Sequence, residues 1–269
     1  MKAAATDRKI DSIVIGDLYD TMVKPLVPFA VRGFIWYQGE SNLVCGDTAI
    51  YAHKMKALIA SWRSAWADPA LPVYYVQLAP HSYSIRKLKK PSDKLLTPEA
   101  LPLFWEAQTE ALKISNTGMA VITDTVTEYA DVHPTNKQDV GARLARLALA
   151  RTYGQKHVDD SGPIFIKSDI LENQVELEFS NAQGLTSRDG KPLTFFSLAG
   201  EDRVFVPAEA TIKGSKVIVK ALGVSKPVAV RFAWNECANP NLVNAARLPV
   251  RTFRTDHWPV EAIRTEDSR

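Results

Sequence analysis

The sequence GFIWY at residues 33–37 is the first of three short apolar runs that decide the fold. It is rich in β-branched and aromatic residues, which predicts a buried strand. Two similar runs follow, VYYVQL at residues 73–78 and MAVITD at residues 119–124. We predict that each of these runs is also a buried strand.

Amphipathic stretches separate and follow the three runs. Residues 47–66 carry apolar side chains at the three-and-four spacing of a helix, namely Met55, Leu58, Ile59, Trp62 and Trp66. Further helices are predicted at about residues 103–114 and 136–153, the second capped by Asn136 and ended by Gly154. Strands alternating with helices are typical of parallel βαβ units.

The sequence pattern changes after Gly154. A polar segment spans residues 155–162, and no helical period appears beyond it. Apolar and polar residues alternate there instead, or flank a Gly-Ser turn, which predicts antiparallel strands at residues 175–179, 212–220 and 228–234. We therefore predict an α/β domain at residues 1–158 and a small antiparallel β-sandwich-like module at residues 159–269.

Composition excludes several classes of function. The 269 residues include 33 Lys and Arg against 30 Asp and Glu, so a strongly basic nucleic-acid surface is not expected. No run of 18 apolar residues predicts a membrane span, and residues 1–12 lack the apolar core of a secretory signal. Cys45 and Cys237 lie outside any CxxC spacing, so they form one bridge or, as we favour, two separate thiols. No cluster has metal-ligand spacing, and we predict neither metal nor cofactor.

The first candidate site lies in the segment TEYADVHPTNKQDVG, residues 127–141. It follows the third predicted strand, and ligands bind beyond the carboxyl ends of the strands in an open parallel sheet. His133 is a candidate base there, and Asp131 is close enough in sequence to orient its imidazole. The alternative is that both are polar loop residues that merely precede a helix.

The second candidate site is WYQGESN, residues 36–42, at the end of the first predicted strand. The Gln38 amide and the backbone N–H groups near Gly39 are suitable donors for an oxyanion, and glycine permits close approach of the backbone. The alternative is an ordinary strand-to-loop turn that contains glycine.

These motifs and several others together resemble the sialate O-acetylesterase family of the SGNH hydrolase superfamily. WYQGESN combined with the Asp-x-His-Pro segment is the most specific part of the resemblance. The remaining motifs occur in the order of that family at residues 18–42, 76–80, 105–108, 117–124, 131–145, 184–185, 196–200, 230–234, 241–249 and 253–259.

The resemblance implies a fold and a mechanism. The fold is an SGNH-like (flavodoxin-like) parallel sheet with helices on both faces. The mechanism removes acetyl groups from sialic acid or related acetylated glycans, with a serine nucleophile, a histidine base and an acidic group that orients the histidine. Matched by motif, the base is His133 and the orienting acid is Asp131. The oxyanion and substrate-binding positions are Gln38, Gly39, Glu40 and Asn42.

Two departures from the family pattern affect these expectations. The usual Asp-x-x-His block would place the acid at position 130, where Ala130 stands, so Asp124 is an alternative orienter. The GQSNM-type nucleophile block is not found, and Leu18 occupies the serine position of the superficially similar IGDLYD segment. We therefore expect a sheet that is incomplete at its amino-terminal side, which a second chain or self-association would complete.

The resemblance also suggests a location and leaves a second function open. Family members of this kind are expected to be secreted or periplasmic and to act on an acetylated sugar. The alternative is a carbohydrate-binding or interaction protein without catalysis that derives from such an esterase. Trp234 and Trp258 are then either sugar-stacking platforms or, as we favour, packing residues at the junction of the two parts.

Overall fold

The structure is a computed structural model that describes residues 16–88, 91 and 93–264. Residues 1–12, in which the sequence shows no secretory signal, lie outside this range. Within the described ranges, no helix combines the length and the apolar character needed to cross a bilayer.

Three parallel strands form the first sheet, as the apolar runs predicted. They are β1 (Phe34–Trp36), β2 (Val73–Val76) and β3 (Thr117–Ala120), in the spatial order β1-β2-β3. The third strand begins earlier than the apolar run indicated. A side chain on Gly118 would come within 2.8 Å of Leu147 Cδ2, so glycine stands in this strand because a helix packs closely against it.

Four α-helices accompany this sheet. They are α1 (Glu40–Val44), α2 (Tyr51–Ala65), α3 (Ala100–Glu110) and α4 (Lys137–Leu147). Shorter 3₁₀ and π segments lie at Tyr19–Val23, Lys24–Leu26, Thr48–Ile50, Tyr83–Ile85, Ala111–Lys113 and Ala148–Thr152. The predicted cap of the last helix is confirmed, because Asn136 Oδ1 accepts a hydrogen bond from the Asp139 N–H at 3.1 Å.

Helices cover both faces of the parallel sheet. On one face, Tyr75 of β2 lies in a large cluster with residues of α2 and α3 such as Ile59 and Phe104. On the other face, Tyr74 and Val76 pack in a smaller cluster with side chains of α4, namely Val140, Leu144 and Leu147. The alternation of β2 side chains between two apolar layers explains why its sequence is continuously apolar.

The rest of the chain is antiparallel, as predicted. Its strands are β4 (Ile164–Leu171), β5 (Gln174–Ser180), β6 (Thr186–Ser187), β7 (Phe196–Ala199), β8 (Val206–Pro207), β9 (Glu209–Lys213), β10 (Lys216–Lys220), β11 (Ala229–Phe232), β12 (Leu242–Val243) and β13 (Phe253–Arg254). They form sheets in the orders β4-β5-β10-β9, β13-β11-β7-β8 and β12-β6. The predicted hairpin is confirmed by the pairing of Lys213 with Lys216.

Aromatic rings join the two larger antiparallel sheets. Phe165 of β4 stacks on Phe253 of β13 with ring centroids 4.5 Å apart, and Phe232 of β11 lies 5.5 Å from the same ring. The large hydrophobic cluster that contains Tyr75 and Phe104 continues into these sheets. The division into domains at residues 158 and 159 stays a prediction.

Candidate active site

A hydrogen-bonded chain of side chains fixes the loop that follows β1. Gln38 Nε2 donates to Asn42 Oδ1 at 2.9 Å, and Asn42 Nδ2 donates to Asp47 Oδ2 at 2.9 Å. The Tyr51 hydroxyl of α2 donates to the Gln38 carbonyl at 3.1 Å. The Gln38 amide is therefore held in one orientation at the carboxyl edge of the sheet.

Gly39 adopts a backbone conformation that favours glycine. Its φ is +156°, and a Cβ there would lie 3.0 Å from Phe104 Cε1 and 3.2 Å from Leu78 Cδ2. Its N–H donates to the Glu40 carboxylate at 3.0 Å. One N–H of the Gln38 amide and the Gly39 N–H are thus engaged by neighbouring residues of the same loop, while the amide NH2 group carries a second N–H.

Asp131 and His133 form a pair on the loop between β3 and α4. Asp131 Oδ1 accepts the His133 main-chain N–H at 2.9 Å and lies 3.2 Å from His133 Nδ1. The hydrogen bond from the main chain of His133 is the largest cause that holds the pKa of Asp131 below its usual value. The side chains are 70% and 81% exposed, so the ring is oriented by the carboxylate while Nε2 stays accessible.

Asp124, the alternative acid for orienting the histidine, is paired with an arginine instead. Its carboxylate receives two hydrogen bonds from the Arg143 guanidinium, at 2.5 and 2.8 Å. Arg143 also donates to the Val121 carbonyl at 2.6 Å. The structure therefore places Asp131, and not Asp124, against the His133 ring.

His81 is a buried histidine near the candidate site that the sequence analysis did not single out. It lies shortly after β2 ends at Val76, and its ring centre is 4.5 Å from that of Tyr83. Its Nδ1 has no hydrogen-bond partner among the described residues. Burial lowers the pKa of His81, and a hydrogen bond with the main chain of Asp131 acts in the opposite direction. Its position after the central strand is the signal that could have found it, since Gln38 and Asp131 follow the two flanking strands.

The two predicted groups lie on the same edge of the sheet without direct bonding. Lys137 Nζ, in the first turn of α4, lies 4.9 Å from the centre of the Tyr37 ring, next to Gln38. In the part of the chain that the structure describes, no hydrogen bond or ion pair joins Gln38 to His133. No serine hydroxyl among these residues bonds to His133, and the Ser82 hydroxyl instead contacts Cys237 Sγ at 3.2 Å.

Other predicted features are also placed by the structure. Cys45 and Cys237 are both free thiols. No group of three or more potential metal ligands occurs among the described residues. The Trp234 ring lies near two guanidinium groups, 5.1 Å from that of Arg231 and 5.0 Å from that of Arg254, which are packing contacts.

Comparison with known proteins gives the class of this protein. A carbohydrate acetylesterase from Xanthomonas citri has a structure similar to that of this chain, with a TM-score of 0.79 and 39% sequence identity over 90% of this chain and 54% of that one. The mixed α/β fold is therefore that of a carbohydrate acetylesterase.

Sequence comparison then identifies the family. The profile of the carbohydrate esterases described as sialic acid-specific acetylesterases matches residues 3–150, and the chain belongs to that family. It is 28% identical to the sialate O-acetylesterase of Homo sapiens over 237 residues and 26% identical to that of Rattus norvegicus over 266 residues. The chain spans 43% and 47% of the length of these relatives.

Proposed function

We propose that this chain carries the histidine–carboxylate part of a carbohydrate O-acetylesterase site that acts on sialic acid or related acetylated glycans. The observation that carries this proposal is the contact between Asp131 and the Nδ1 side of His133, on the sheet edge that also bears the Gln38 loop. The names of the relatives supply the substrate class, and the geometry supplies a base that is already oriented.

The proposed mechanism is a two-step acyl transfer. A serine oxygen attacks the acetyl carbonyl while His133 Nε2 takes the hydroxyl proton, and the same proton is then given to the departing sugar oxygen. Water attacks the acetyl-enzyme in the second step and loses a proton to His133, which passes it to the departing serine oxygen as acetate is released. Asp131 holds the ring and stabilises its charged form. The second N–H of the Gln38 amide, and the N–H of Gly39 once Glu40 releases it, would stabilise the oxyanion.

We further propose that the serine comes from a polypeptide segment that adds to the β1 edge of an SGNH-like sheet. Among the described residues, β1 pairs with β2 on one side only, and the side chain of Ile35 at its centre is 69% exposed. An unpaired apolar edge strand is a template for a further strand. The segment belongs to a longer form of this chain, to a second chain or to another copy. Secretion or a periplasmic location also stays a proposal, drawn from the resemblance.

Hydrolysis of 4-nitrophenyl acetate tests the proposal. The chain is assayed alone and co-expressed with the part of the Xanthomonas citri acetylesterase that it does not cover, and a serine-directed phosphonate reports which polypeptide carries the nucleophile. We expect turnover only in the assembled form. His133→Ala should lower it about 10²–10⁴-fold, whereas His157→Ala, which changes an exposed histidine of the polar segment, should leave it unchanged. Turnover that survives His133→Ala would contradict the site.

The second candidate function is carbohydrate binding without catalysis. It is favoured by the hydrogen bond that occupies the Gly39 N–H and by the absence, among the described residues, of a serine bonded to His133. The same experiment separates the two functions. Glycan binding without turnover and without a labelled serine in the assembled form would favour the binding protein.

A further inference from the structure

Four arginines surround a cavity of about 380 Å³ between α4 and the antiparallel part of the chain. Two aspartates also line it, so the charged lining comprises Asp124, Asp139, Arg143, Arg146, Arg188 and Arg247. Four guanidinium groups against two carboxylates leave a net positive charge on the walls. A cavity of this size and charge suits a small anionic ligand.

Only one of the four guanidinium groups is neutralised by a carboxylate among the described residues. Arg143 forms the two hydrogen bonds to Asp124. Arg146 donates to the Asp159 carbonyl at 3.1 Å, Arg188 to the Asn239 amide oxygen at 2.5 Å, and Arg247 to the Arg188 carbonyl at 3.0 Å. These partners are all neutral.

The two carboxylates of the cavity do not pair with the other three arginines. Asp124 forms its ion pair with Arg143, and Asp139 accepts a hydrogen bond from the Asn136 amide at 2.7 Å. Arg188 Nε is buried and has no hydrogen-bond partner within the part of the chain that the structure describes. A buried donor without a partner is costly, and an anion in the cavity would satisfy it.

The turn that carries Arg247 is held in a strained conformation. Arg247 has a φ of +62°, in the left-handed region that disfavours side chains other than glycine, asparagine and aspartate. The buried side chain of Asn244 fixes this turn, because it donates to the Ser161 carbonyl at 3.1 Å and accepts from the Leu248 N–H at 3.1 Å. The backbone at Arg247 is therefore fixed by its surroundings.

The cavity is connected to the loop of the candidate active site. Asn239, which accepts from Arg188, donates to the Val126 carbonyl at 3.2 Å and hydrogen-bonds with the Tyr129 side chain. Asp131 follows Tyr129 by two residues. A ligand held by Arg188 would therefore lie beside the loop that orients His133.

We propose that these four arginines, which we call the arginine pocket, bind the carboxylate of an acidic sugar whose acetyl ester is presented to His133. Guanidinium groups bind carboxylates in a planar, two-pronged geometry that lysine cannot reproduce. The identity of the ligand rests on the proposed acetylesterase function, while the anion site does not. Phosphate shares the charge of a carboxylate and is the competing ligand.

Isothermal titration calorimetry of the full chain tests this proposal with N-acetylneuraminic acid, its neutral methyl ester and inorganic phosphate. We expect the free acid to bind, and the methyl ester and phosphate to bind at least about tenfold more weakly. This is the loss of affinity expected when a charge-assisted hydrogen bond is removed. Arg188→Gln and Arg247→Gly should each lower the affinity for the free acid by a similar factor. Arg247→Gly keeps the fold because glycine accepts the positive φ. Arg32→Gln, which removes the same charge from an exposed residue, should bind as the unchanged chain does.

Each other outcome overturns a stated part of the proposal. Equal binding of acid and methyl ester would exclude carboxylate recognition, and tighter binding of phosphate would exclude the acidic sugar. Binding unaffected by Arg188→Gln and Arg247→Gly would exclude the location, and no binding of any anion would exclude the site. Hydrolysis of neutral 4-nitrophenyl acetate by the assembled form should not change in Arg32→Gln. The binding titrations need no turnover, so failure of the esterase function and failure of the arginine pocket are separate results.

Discussion

Gly39→Ala is the substitution whose effect the structure defines most closely. Holding an alanine at a φ of +156° costs about 1–3 kcal/mol in backbone strain. Its methyl group would also meet Phe104 at 3.0 Å and Leu78 at 3.2 Å. Both neighbours are fully buried, so they cannot move into solvent, and overpacking adds about 1–3 kcal/mol. We expect the free energy of unfolding to fall by about 2–6 kcal/mol, the sum of these contributions.

The same substitution elsewhere in the chain gives a matched control. Gly141 lies within α4, and a Cβ there would meet nothing within 4 Å. Gly141→Ala should therefore raise the free energy of unfolding by about 0.5–1 kcal/mol, because alanine loses less backbone entropy in a helix. Urea unfolding followed by tryptophan fluorescence measures both variants. A Gly39→Ala variant within about 0.5 kcal/mol of the unchanged chain, the range of neutral surface changes, would refute this account of the loop.

Three further changes test the packing and electrostatics. Arg143→Met should lower the free energy of unfolding by about 3–5 kcal/mol, because it leaves the Asp124 carboxylate, whose side chain is 8% exposed, without its ion-pair partner. Chemical denaturation measures this loss. A loss below about 1 kcal/mol would argue against an ion pair that is important for stability. Burial alone would raise the pKa of Asp256, but the hydrogen bonds and charge of Arg231 outweigh burial and hold it below its usual value. The stability that Asp256 contributes is thus present above the unfolded pKa of about 3.9 and is lost as pH falls through the lower folded pKa. In thermal melts at pH 2–6, the melting temperature of Asp256→Asn should fall less steeply with acid than that of the unchanged chain. An equal slope for the two proteins would contradict the lowered pKa. Phe253→Ala should cost about 3–5 kcal/mol in urea melts because its ring packs between the two larger antiparallel sheets, and a near-neutral result would show that these sheets do not depend on it.

The fold could be predicted where the sequence signal is local. The continuous apolar runs correctly predicted β1 and β2, and the Asn136 cap correctly predicted the start of α4. The start of β3 was not predicted because Gly118 has no strand preference of its own. Its place in the sheet depends on the close packing of Leu147 from a later helix, which is a tertiary contact.

In the candidate site too, contacts between residues close in sequence could be predicted and contacts between distant residues could not. Asp131 and His133 are two residues apart, so their pairing could be predicted from sequence. The pairing of Asp124 with Arg143 spans 19 residues and the contact between Arg188 and Asn239 spans 51. Such contacts are created by the fold alone. His81 was missed because a single histidine after a strand is common, and only its burial beside Asp131 distinguishes it.

The hydrophobic cluster shared by the parallel and antiparallel parts bears on how such proteins can evolve. Residues as distant in sequence as Phe104 and Val230 are members of one cluster. Recombination that exchanged the carboxy-terminal part for that of a distant relative would leave mismatched apolar surfaces on both sides. The two parts should therefore be inherited together, with substitutions on one side followed by compensating changes on the other.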